Sequence, residues 1–503
     1  MSTDDVILVH VPRSADVLPR VLLMPTGLIA IADHLDRNGH ATRVLHTGVE
    51  ISLDERFDLG EHLKRRAPKL VGFALSWHQQ ATDTVRAIRE VHAALPDVPI
   101  VLGGFTASRF AVEILSTMPE VAFVVHGDAE RPLLELMNAL QHGSPLDAIP
   151  NLVWRSNGVV VENEARWQLS AQEARAISFV RFDLIDHHDQ VLQLRMDEVG
   201  PANSRVFYFS PGRGCGATCS YCAGARASQK KYERRDRVEF FPIDHVADQL
   251  VQIKAKGVDQ WNACFDPDPS SSYYVDLFAE LRQRGLGPGA GAQSLDLVFD
   301  CFGLPSVELV RSFAATFGPG SSLNISPETG SDTLRRKLRT FYYSNDELLD
   351  RLQLIDELGL RCSLYFAAGL PREMREDLAA TLTLVRAIKR AHPRFWIHAG
   401  IIDIEPGSML FDRPERLGVT TTISDFASLL RAQADGPSEL NYRTEELSAE
   451  DIVDRRSLIE ITAQCKVGGA PFESILQDVA AHDALGVAKR ACASCAHLAV
   501  CFK

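Results

Sequence analysis

Short apolar runs alternate with amphipathic helical stretches along most of this chain, and the alternation constrains its fold more than any other feature. In the first part of the chain these runs are DVILVHV (5–11), ATRVLHT (41–47), KLVGFALS (69–76), VPIVLGG (98–104) and VAFVVHGD (121–128). Strands that alternate with helices in this way predict a parallel, doubly wound α/β sheet. Ligands bind at the carboxyl ends of the strands in such a sheet.

The alternation resumes in the second part of the chain. Further candidate strands lie at 206–210, 258–265, 291–299, 322–328, 362–369 and 396–404, with helical stretches between them. Six strand–helix units predict a partial (β/α)6 barrel, whose active site would occupy the loops after the strands. We therefore expect a Rossmann-like domain at 1–145, a linker or small subdomain at 146–200, the barrel at 201–440 and a mainly helical extension at 441–503.

Charge and hydropathy narrow the possible partners. The formal net charge of −13 argues against nucleic acid as a partner, because nucleic-acid-binding proteins concentrate positive charge. No apolar run approaches the roughly 20 residues of a membrane span, and the acidic start MSTDDVILVH is unlike a secretory signal. We expect a cytoplasmic protein with a small-molecule substrate.

Three cysteines follow the first barrel strand in the segment SPGRGCGATCSYCAGARAS (210–228). Cys215, Cys219 and Cys222 have C-x3-C-x2-C spacing. Three thiolates on a short loop can hold three corners of a [4Fe–4S] cluster and leave the fourth iron open. A structural zinc site would normally need a fourth nearby Cys or His, which the sequence after Cys222 does not offer. The motif predicts an iron–sulfur centre.

This cysteine spacing, with Tyr221 just before the last cysteine, resembles the radical S-adenosylmethionine (SAM) superfamily. The resemblance implies that SAM chelates the open iron and is cleaved reductively to a 5′-deoxyadenosyl radical. It also implies an electron donor such as flavodoxin or ferredoxin.

Three later segments resemble the SAM-binding strand ends of that superfamily, in the same order. They are NISPETGSD, FAAGLPREMREDL and IIDIEPGSML. The resemblance implies SAM-binding roles for Tyr221, Glu328, Gly369, Leu370, Pro371, Ile404 and Pro406. Asp332 is the alternative to Glu328 as the acid of the first segment.

Two acids in ACFDPDPSSSYY, Asp266 and Asp268, follow the second barrel strand. They could bind hydroxyl or amine groups of a substrate, or they could cap the next helix. Arg235 and Arg237 lie in the charged run KKYERRDR, which is either a solvated face or a source of ligand contacts.

A doubly wound domain that precedes the cysteine motif resembles the cobalamin-binding type of radical SAM enzyme. The resemblance implies cobalamin contacts at strand ends and at the first helix, from Thr26, Gly27, Ser76, Trp77, His78, Gly103, Gly104 and Gly127. The Asp-x-His-x-x-Gly motif of His-ligated cobalamin proteins is absent. His78 is therefore either a cobalt ligand or a hydrogen-bonded structural residue.

A second cysteine group lies near the end of the chain, in ACASCAHLAVCFK. Cys492, Cys495 and Cys501, with Cys465 or His497 as a fourth ligand, predict a second iron–sulfur cluster or a zinc site. The alternative is a helical tail with buried small residues. Cys264, Cys301 and Cys362 lie in apolar runs and are expected in the core.

Cobalamin-dependent methylation of an unactivated carbon in a small, natural-product-like substrate is the leading functional hypothesis. The alternative is a radical dehydratase, a rearrangement enzyme or an epimerase that does not use cobalamin. A cobalamin or redox sensor is a third hypothesis, disfavoured because no DNA-binding motif is evident. RNA methylthiolation is disfavoured because residues 1–200 contain no cysteine.

Overall fold

Two separate parallel sheets form from the two series of apolar runs. A computed structural model of the chain describes residues 4–13, 24–194, 204–287, 294–434 and 440–464. Within these residues, no helix is long and apolar enough to cross a membrane.

The first sheet has seven strands in the spatial order β2-β1-β3-β4-β5-β6-β7. Its strands are β1 (Val6–His10), β2 (Thr42–His46), β3 (Leu70–Ala74), β4 (Ile100–Gly103), β5 (Phe123–Val125), β6 (Leu152–Ser156) and β7 (Val159–Glu162). β1 to β5 pair in parallel. The strand order reverses between β1 and β3, and ligands bind at such a switch point in doubly wound sheets.

Amphipathic helices cover both faces of this sheet. They are α1 (Thr26–Arg37), α2 (Thr47–Leu53), α3 (Leu59–Arg66), α4 (Ala81–Ala94), α5 (Phe105–Arg109), α6 (Ala111–Thr117) and α7 (Glu130–His142). In α1 the buried face includes Leu28, Ile29 and Leu35. All five residues of β1 are buried, as expected for a strand covered on both faces.

Within residues 146–194, which the sequence predicts to belong to a linker or small subdomain, β6 and β7 extend the first sheet. They pair antiparallel to β5 and to each other. Asn157 and Gly158 join them, both with positive φ (49° and 81°). An Asn-Gly pair of this kind closes a two-residue hairpin whose twist matches its strands. Two short helices follow, α8 (Ala171–Ala174) and α9 (His188–Val191).

The second sheet is the predicted partial barrel. Its strands are β8 (Val206–Tyr208), β11 (Gln260–Ala263), β12 (Asp296–Cys301), β13 (Ser322–Glu328), β14 (Arg361–Ala368) and β15 (Trp396–Ile401). They pair in parallel in the order β15-β14-β13-β12-β11-β8, so β8 and β15 are edges and the barrel stays open. A small hairpin, β9 (Gly212–Arg213) with β10 (Glu239–Phe240), follows β8.

The barrel helices lie between these strands. They are α10 (Arg226–Tyr232), α11 (Ile243–Ala255), α12 (Tyr273–Gln283), α13 (Val307–Ala314), α14 (Asp332–Leu338), α15 (Asn345–Glu357) and α16 (Arg375–Ala391). The elements after β15 are α17 (Met409–Asp412), β16 (Val419–Thr421), α18 (Phe426–Ala434), β17 (Tyr442–Thr444) and α19 (Ala449–Gln464). α19 packs against β14 and β15.

Apolar side chains join the two sheets in one continuous core. Phe179, in the segment between the sheets, stacks near Phe209 and Phe241 of the barrel, with ring centroids 4.8 Å and 5.4 Å away. The same cluster reaches Ile29 and Leu136 on the helices of the first sheet. This shared core brings the carboxyl ends of both sets of strands to one region.

Candidate functional site

The cluster loop, residues 209–225, carries the three cysteines over the end of the barrel. Gly214 begins its turn with φ of +86°, and a Cβ there would lie 2.6 Å from the Arg237 carbonyl oxygen. Only glycine meets both conditions without strain. Cys215 is buried, Cys219 and Cys222 are half-buried, and all three thiols are free.

Residues from distant strand ends hold the cluster loop in place. The Thr218 amide donates to Thr340 Oγ1 at 2.6 Å, and the Ala223 amide donates to Glu405 Oε2 at 2.6 Å. Thr340 lies beyond β13 and Glu405 beyond β15. The loop is therefore tied across the mouth of the barrel, where (β/α) barrels carry their active sites.

The sulfur atoms accept backbone hydrogen bonds. Ala217 N donates to Cys215 Sγ at 3.4 Å, and Gly224 N donates to Cys222 Sγ at 3.3 Å. Burial raises the pKa of both thiols, so ligation would have to displace their protons. In the described residues, no three Cys, His, Asp or Glu side chains converge on a point suited to a single metal ion. A polynuclear cluster would bind each thiolate at its own corner, so it does not require the three sulfur atoms to converge on one point.

Glu328 lies beside Tyr221 at the end of β13. The Tyr221 hydroxyl donates to Glu328 Oε2, and Arg339 Nη1 is 3.4 Å from Glu328 Oε1. Burial, together with the Glu328 charge, raises the pKa of Tyr221 well above its usual value, so the phenol stays protonated. The structure thus brings together the two residues that the sequence nominated from separate segments. Their SAM-binding role remains a prediction.

The Gly369–Pro371 turn is held by Glu373, which in turn pairs with Arg455 of α19. Glu373 Oε2 accepts from the amides of Gly369 (2.8 Å) and Leu370 (3.1 Å), and Arg455 of α19 lies 3.2 Å from Glu373. Ile404 and Pro406 are buried at the next strand end. Sequence reasoning missed Glu373 and Arg455, and it also missed Glu405. The signal for Glu405 was an acid placed between the two nominated residues Ile404 and Pro406.

Asp266 and Asp268 differ in their surroundings. Asp268 Oδ1 accepts from the amide and hydroxyl of Ser270 at 3.1 Å and 2.5 Å, so it shapes the local turn. Asp266 is buried and accepts from the Asp268 amide at 3.3 Å. Burial, with the Asp268 charge adding to it, raises the pKa of Asp266 to about 7. Of the two, Asp266 is the better proton donor or acceptor at neutral pH.

The two nominated arginines make structural ion pairs. Arg235 is buried and binds Asp128, whereas Arg237 is mostly exposed and lies 2.9 Å from Glu239. Neither is among the residues that line the cavity between the first sheet and the barrel.

A cavity of about 440 Å³ lies between the first sheet and the barrel. One wall contains seven residues that were predicted to bind cobalamin: Thr26, Gly27, Ser76, Trp77, Gly103, Gly104 and Gly127. The opposite wall comes from the barrel and contains Tyr208, Phe209, Ser210, Gly212, Arg213, Phe241 and Cys264. The cavity therefore opens at the switch point of one sheet and borders the cluster loop of the other.

Known families match both halves of this arrangement. Residues 209–385 match the radical SAM superfamily, and residues 20–137 match the B12 binding domain. The chain is a radical SAM protein with an N-terminal B12 binding domain. The two matched ranges include the cluster loop and the predicted cobalamin-contacting strand ends.

Two solved structures share the fold of this radical SAM protein. TsrM from Kitasatospora setae, a radical SAM methyltransferase with cobalamin and a [4Fe–4S] cluster bound, is 16% identical with a TM-score of 0.68, covering 97% of this chain and 99% of that one. OxsB, a cobalamin-dependent SAM radical enzyme with aqua-cobalamin and SAM bound, is 11% identical with a TM-score of 0.64, covering 94% and 70%.

A curated relative is the anaerobic magnesium-protoporphyrin IX monomethyl ester cyclase of Synechocystis sp. It is 24% identical over 52% of this chain and 48% of its own length. The radical SAM protein thus aligns with about half the length of this relative.

His78 does not line the cavity of this radical SAM protein. Its Nε2 lies 3.1 Å from Asp403 Oδ2, beyond β15. The chain turns into a short 3₁₀ segment after Trp77, which directs His78 toward the barrel strand end. Of the two roles considered for His78, the hydrogen-bonded one describes this geometry.

Cys264 directly follows β11 and packs against the core, but it is half-buried and also lines the cavity. Cys301 and Cys362 are buried as expected. Cys465, Cys492, Cys495, Cys501 and His497 lie outside the described residues.

A buried ion cluster joins the two domains beside the cavity, and sequence reasoning missed it. Arg213 Nη1 lies 2.6 Å from Asp128, and Nη2 lies 2.5 Å from Glu130. Arg235 also binds Asp128. Burial would raise the pKa of Asp128, but the two guanidinium groups outweigh it and hold the pKa below its usual value. Arg213 is two residues from Cys215, so these ion pairs connect the cluster loop to the residues that follow β5.

The residues present fit the cofactors that the two families imply. The cysteine loop offers three free thiols with amide donors around them. Gly27 and Gly103 leave the cavity open, because a Cβ at Gly27 would meet nothing within 4 Å and one at Gly103 would meet only the Val125 carbonyl oxygen at 3.9 Å. The loop would hold the cluster with SAM, and the cavity would hold part of cobalamin.

Proposed function

We propose that this protein is a cobalamin-dependent radical SAM methyltransferase that acts on an unactivated carbon of a small molecule. The supporting observation is the continuity of the two sites. Ser210, Gly212 and Arg213 line the cavity, and Cys215 follows directly on the same loop. A methyl carrier in the cavity and a cleavage site on the loop would therefore serve one substrate.

The chain's own residues would orient SAM, exclude water from its adenine and exchange a proton with the substrate. When bound, the cluster supplies the electron for SAM cleavage and cobalamin supplies the methyl group. Tyr221 and Glu328 would orient SAM, and the buried turn at Gly369–Pro371 would exclude water from its adenine. Asp266, with its pKa near 7, would hold or release a proton at the substrate.

The fold comparisons support this assignment, because TsrM is a methyltransferase with both cofactors bound and is matched over nearly its whole length. The alternative outcomes are dehydration, rearrangement or epimerisation. Ring closure is a further alternative, because one relative is the anaerobic magnesium-protoporphyrin IX monomethyl ester cyclase. Each alternative would consume SAM without transferring its methyl group.

Several further assignments belong to this proposal. The domain limits 1–145, 146–200, 201–440 and 441–503 are proposed as functional units, although β6 and β7 join the first sheet. We also propose a cytoplasmic location, a flavodoxin or ferredoxin as electron donor, and a second cluster or zinc at Cys465, Cys492, Cys495 and Cys501. Cytosolic reduction keeps free thiols available for clusters.

The test is anaerobic turnover with SAM that carries a deuterated methyl group. The protein is reconstituted with iron, sulfide and hydroxocobalamin, reduced, and supplied with a panel of small molecules. We expect S-adenosylhomocysteine and 5′-deoxyadenosine together, with the labelled methyl group in the product. Formation of 5′-deoxyadenosine at the same rate without cobalamin would contradict methylation and favour the alternatives.

The control for this experiment is a Cys219→Ala variant. Loss of one of three cluster ligands should abolish 5′-deoxyadenosine formation. Iron content, measured chemically, should fall by about four per chain relative to the wild type.

A further inference from the structure

His10 is the last residue of β1, at the switch point of the first sheet. Side chains alternate along a strand, so His10 shares a face with Val6 and Leu8. That face belongs to the apolar cluster with α1 and α7, and His10 lines the cavity there together with Leu8. The side chain is 8% exposed.

Three other polar side chains around the cavity already have partners. The Thr26 hydroxyl donates to the Tyr208 carbonyl, and Gln80 donates to the Val11 carbonyl at 2.8 Å. Arg213 is paired with two carboxylates. Among the described side chains that line the cavity, His10 has a fully buried nitrogen, Nε2, with no hydrogen-bond partner. An unsatisfied buried group lowers stability unless a ligand or water pairs with it.

The electrostatics of His10 select the kind of partner. Burial and the neighbouring His46, whose ring centroid is 4.7 Å away, lower the pKa of His10 well below its usual value. The imidazole is therefore neutral at neutral pH, with one ring nitrogen a donor and the other an acceptor. Such a group pairs with a polar ligand by a hydrogen bond rather than by an ion pair.

We propose that His10 binds the nucleotide tail of cobalamin through Nε2 and so favours corrinoids that carry this tail. The inference rests on the proposed function, because it requires cobalamin in the cavity. The cavity has a volume of about 440 Å³. The part of it between the sheet face and α1, where Leu8, Gly72 and Ile31 line the wall, suits the narrow tail rather than the broad corrin ring.

Two substitutions at His10 and one elsewhere test the contact. His10→Leu removes the hydrogen-bonding group, and His10→Gln keeps one. His126→Leu is the matched control, because His126 is also buried at a strand end and its Nε2 also has no partner, but it does not line the cavity. Thermal unfolding of each ligand-free protein checks that the variants are folded.

The measurement is the Kd for hydroxocobalamin and for cobinamide, which lacks the tail, by titration calorimetry on the cluster-reconstituted full chain. We expect His10→Leu to weaken cobalamin binding about tenfold, the value of one lost hydrogen bond, and to leave cobinamide binding unchanged. His10→Gln should recover most of the loss. His126→Leu should bind both ligands like the wild type.

The outcomes separate this inference from the proposed function. If the wild type binds neither corrinoid, the proposed function fails and this inference fails with it. If the wild type binds cobalamin but His10→Leu weakens both ligands equally or neither, only the role of His10 is wrong. Electron paramagnetic resonance of the Co(II) form gives a second readout, because nitrogen splitting that disappears in His10→Leu would identify a cobalt ligand and overturn the tail contact.

Discussion

Glu328 has an unusual backbone for a side-chain-bearing residue, with φ of +64° at the end of β13. The strand register shifts between Ile325 and Glu328, which turns the carboxylate toward the cluster loop. Left-handed backbone in a glutamate is strained, and such strain persists where surrounding contacts fix it. Here the fixing contacts are Tyr221 and the buried Arg339.

Glu328→Gln tests the SAM-binding role at the residue scale. The amide keeps the shape of the side chain but removes its charge. We expect about tenfold weaker SAM binding, because a charge-assisted hydrogen bond is lost, with unchanged iron content. Equilibrium dialysis with labelled SAM measures the change. Asp332→Asn is the control, because Asp332 accepts from Arg335 and from the Asn345 amide within α14 and its surroundings; an equal loss in this variant would contradict the assignment.

Glu233 gives a pH prediction at the same scale. Burial raises its pKa to about 7, above the ordinary 4.5. A raised carboxyl pKa means that the neutral form contributes stability at low pH, which is lost as pH rises through 7. We expect Glu233→Gln to gain about 3 kcal/mol relative to wild type between pH 4.5 and pH 8.5. Urea unfolding across this range measures the gain, and parallel pH profiles for the two proteins would disprove it.

Gly127 lies two residues after β5 and allows the two domains to approach closely. Its φ is +61°, and a Cβ there would overlap the Glu233 carbonyl oxygen on the barrel side. Gly143, which ends α7, also has positive φ (+66°), but nothing lies within 4 Å of a Cβ built there. The two glycines share a backbone requirement and differ in their surroundings.

Comparison of Gly127→Ala with Gly143→Ala therefore separates the cost of backbone strain from the cost of steric overlap. We expect Gly143→Ala to cost about 1 kcal/mol of unfolding free energy through its backbone alone. Gly127→Ala should cost roughly 3 kcal/mol, because the chain must also shift at the domain boundary. Denaturant unfolding of both variants measures the difference. Equal losses would show that the close approach to Glu233 does not hold.

At the scale of the whole molecule, an apolar core and an ion cluster unite the two domains. Phe179 joins the cores of both sheets, and Arg213 bridges Asp128 and Glu130 beside the cavity. Replacing Arg213 would leave two carboxylates buried without their main partner, and such losses are large.

Arg213→Met should lower the unfolding free energy by about 3 kcal/mol. It should also weaken cobalamin binding, because the cavity wall moves with the cluster loop. Arg131→Met, on the exposed side of α7 and paired with Glu135, should change stability by less than about 0.5 kcal/mol. Chemical unfolding and corrinoid titration measure both effects. Equal effects of the two substitutions would show that the Arg213 ion pairs do not contribute to stability or to cobalamin binding.

The sequence predicted most elements because their physical signals are local. Buried parallel strands require continuous apolar runs, and β13 (Ser322–Glu328) coincides with the run that predicts it. The hairpin β6–β7 differs, because nothing local in its sequence shows that it belongs to the first sheet. Edge pairing depends on which sheet is nearer in space, and no local pattern encodes that distance.

The sequence by itself determined the order of two α/β units and the three cysteines that follow the first strand of the second unit. Spacing along the chain is sufficient for both, since strand periodicity and ligand spacing are properties of neighbouring residues. Only the tertiary structure decided that His10, Arg213 and Cys264 meet in one cavity and that His78 turns away to Asp403. These residues come from different strand ends, and their side chains meet only after a shared core has packed the two sheets together.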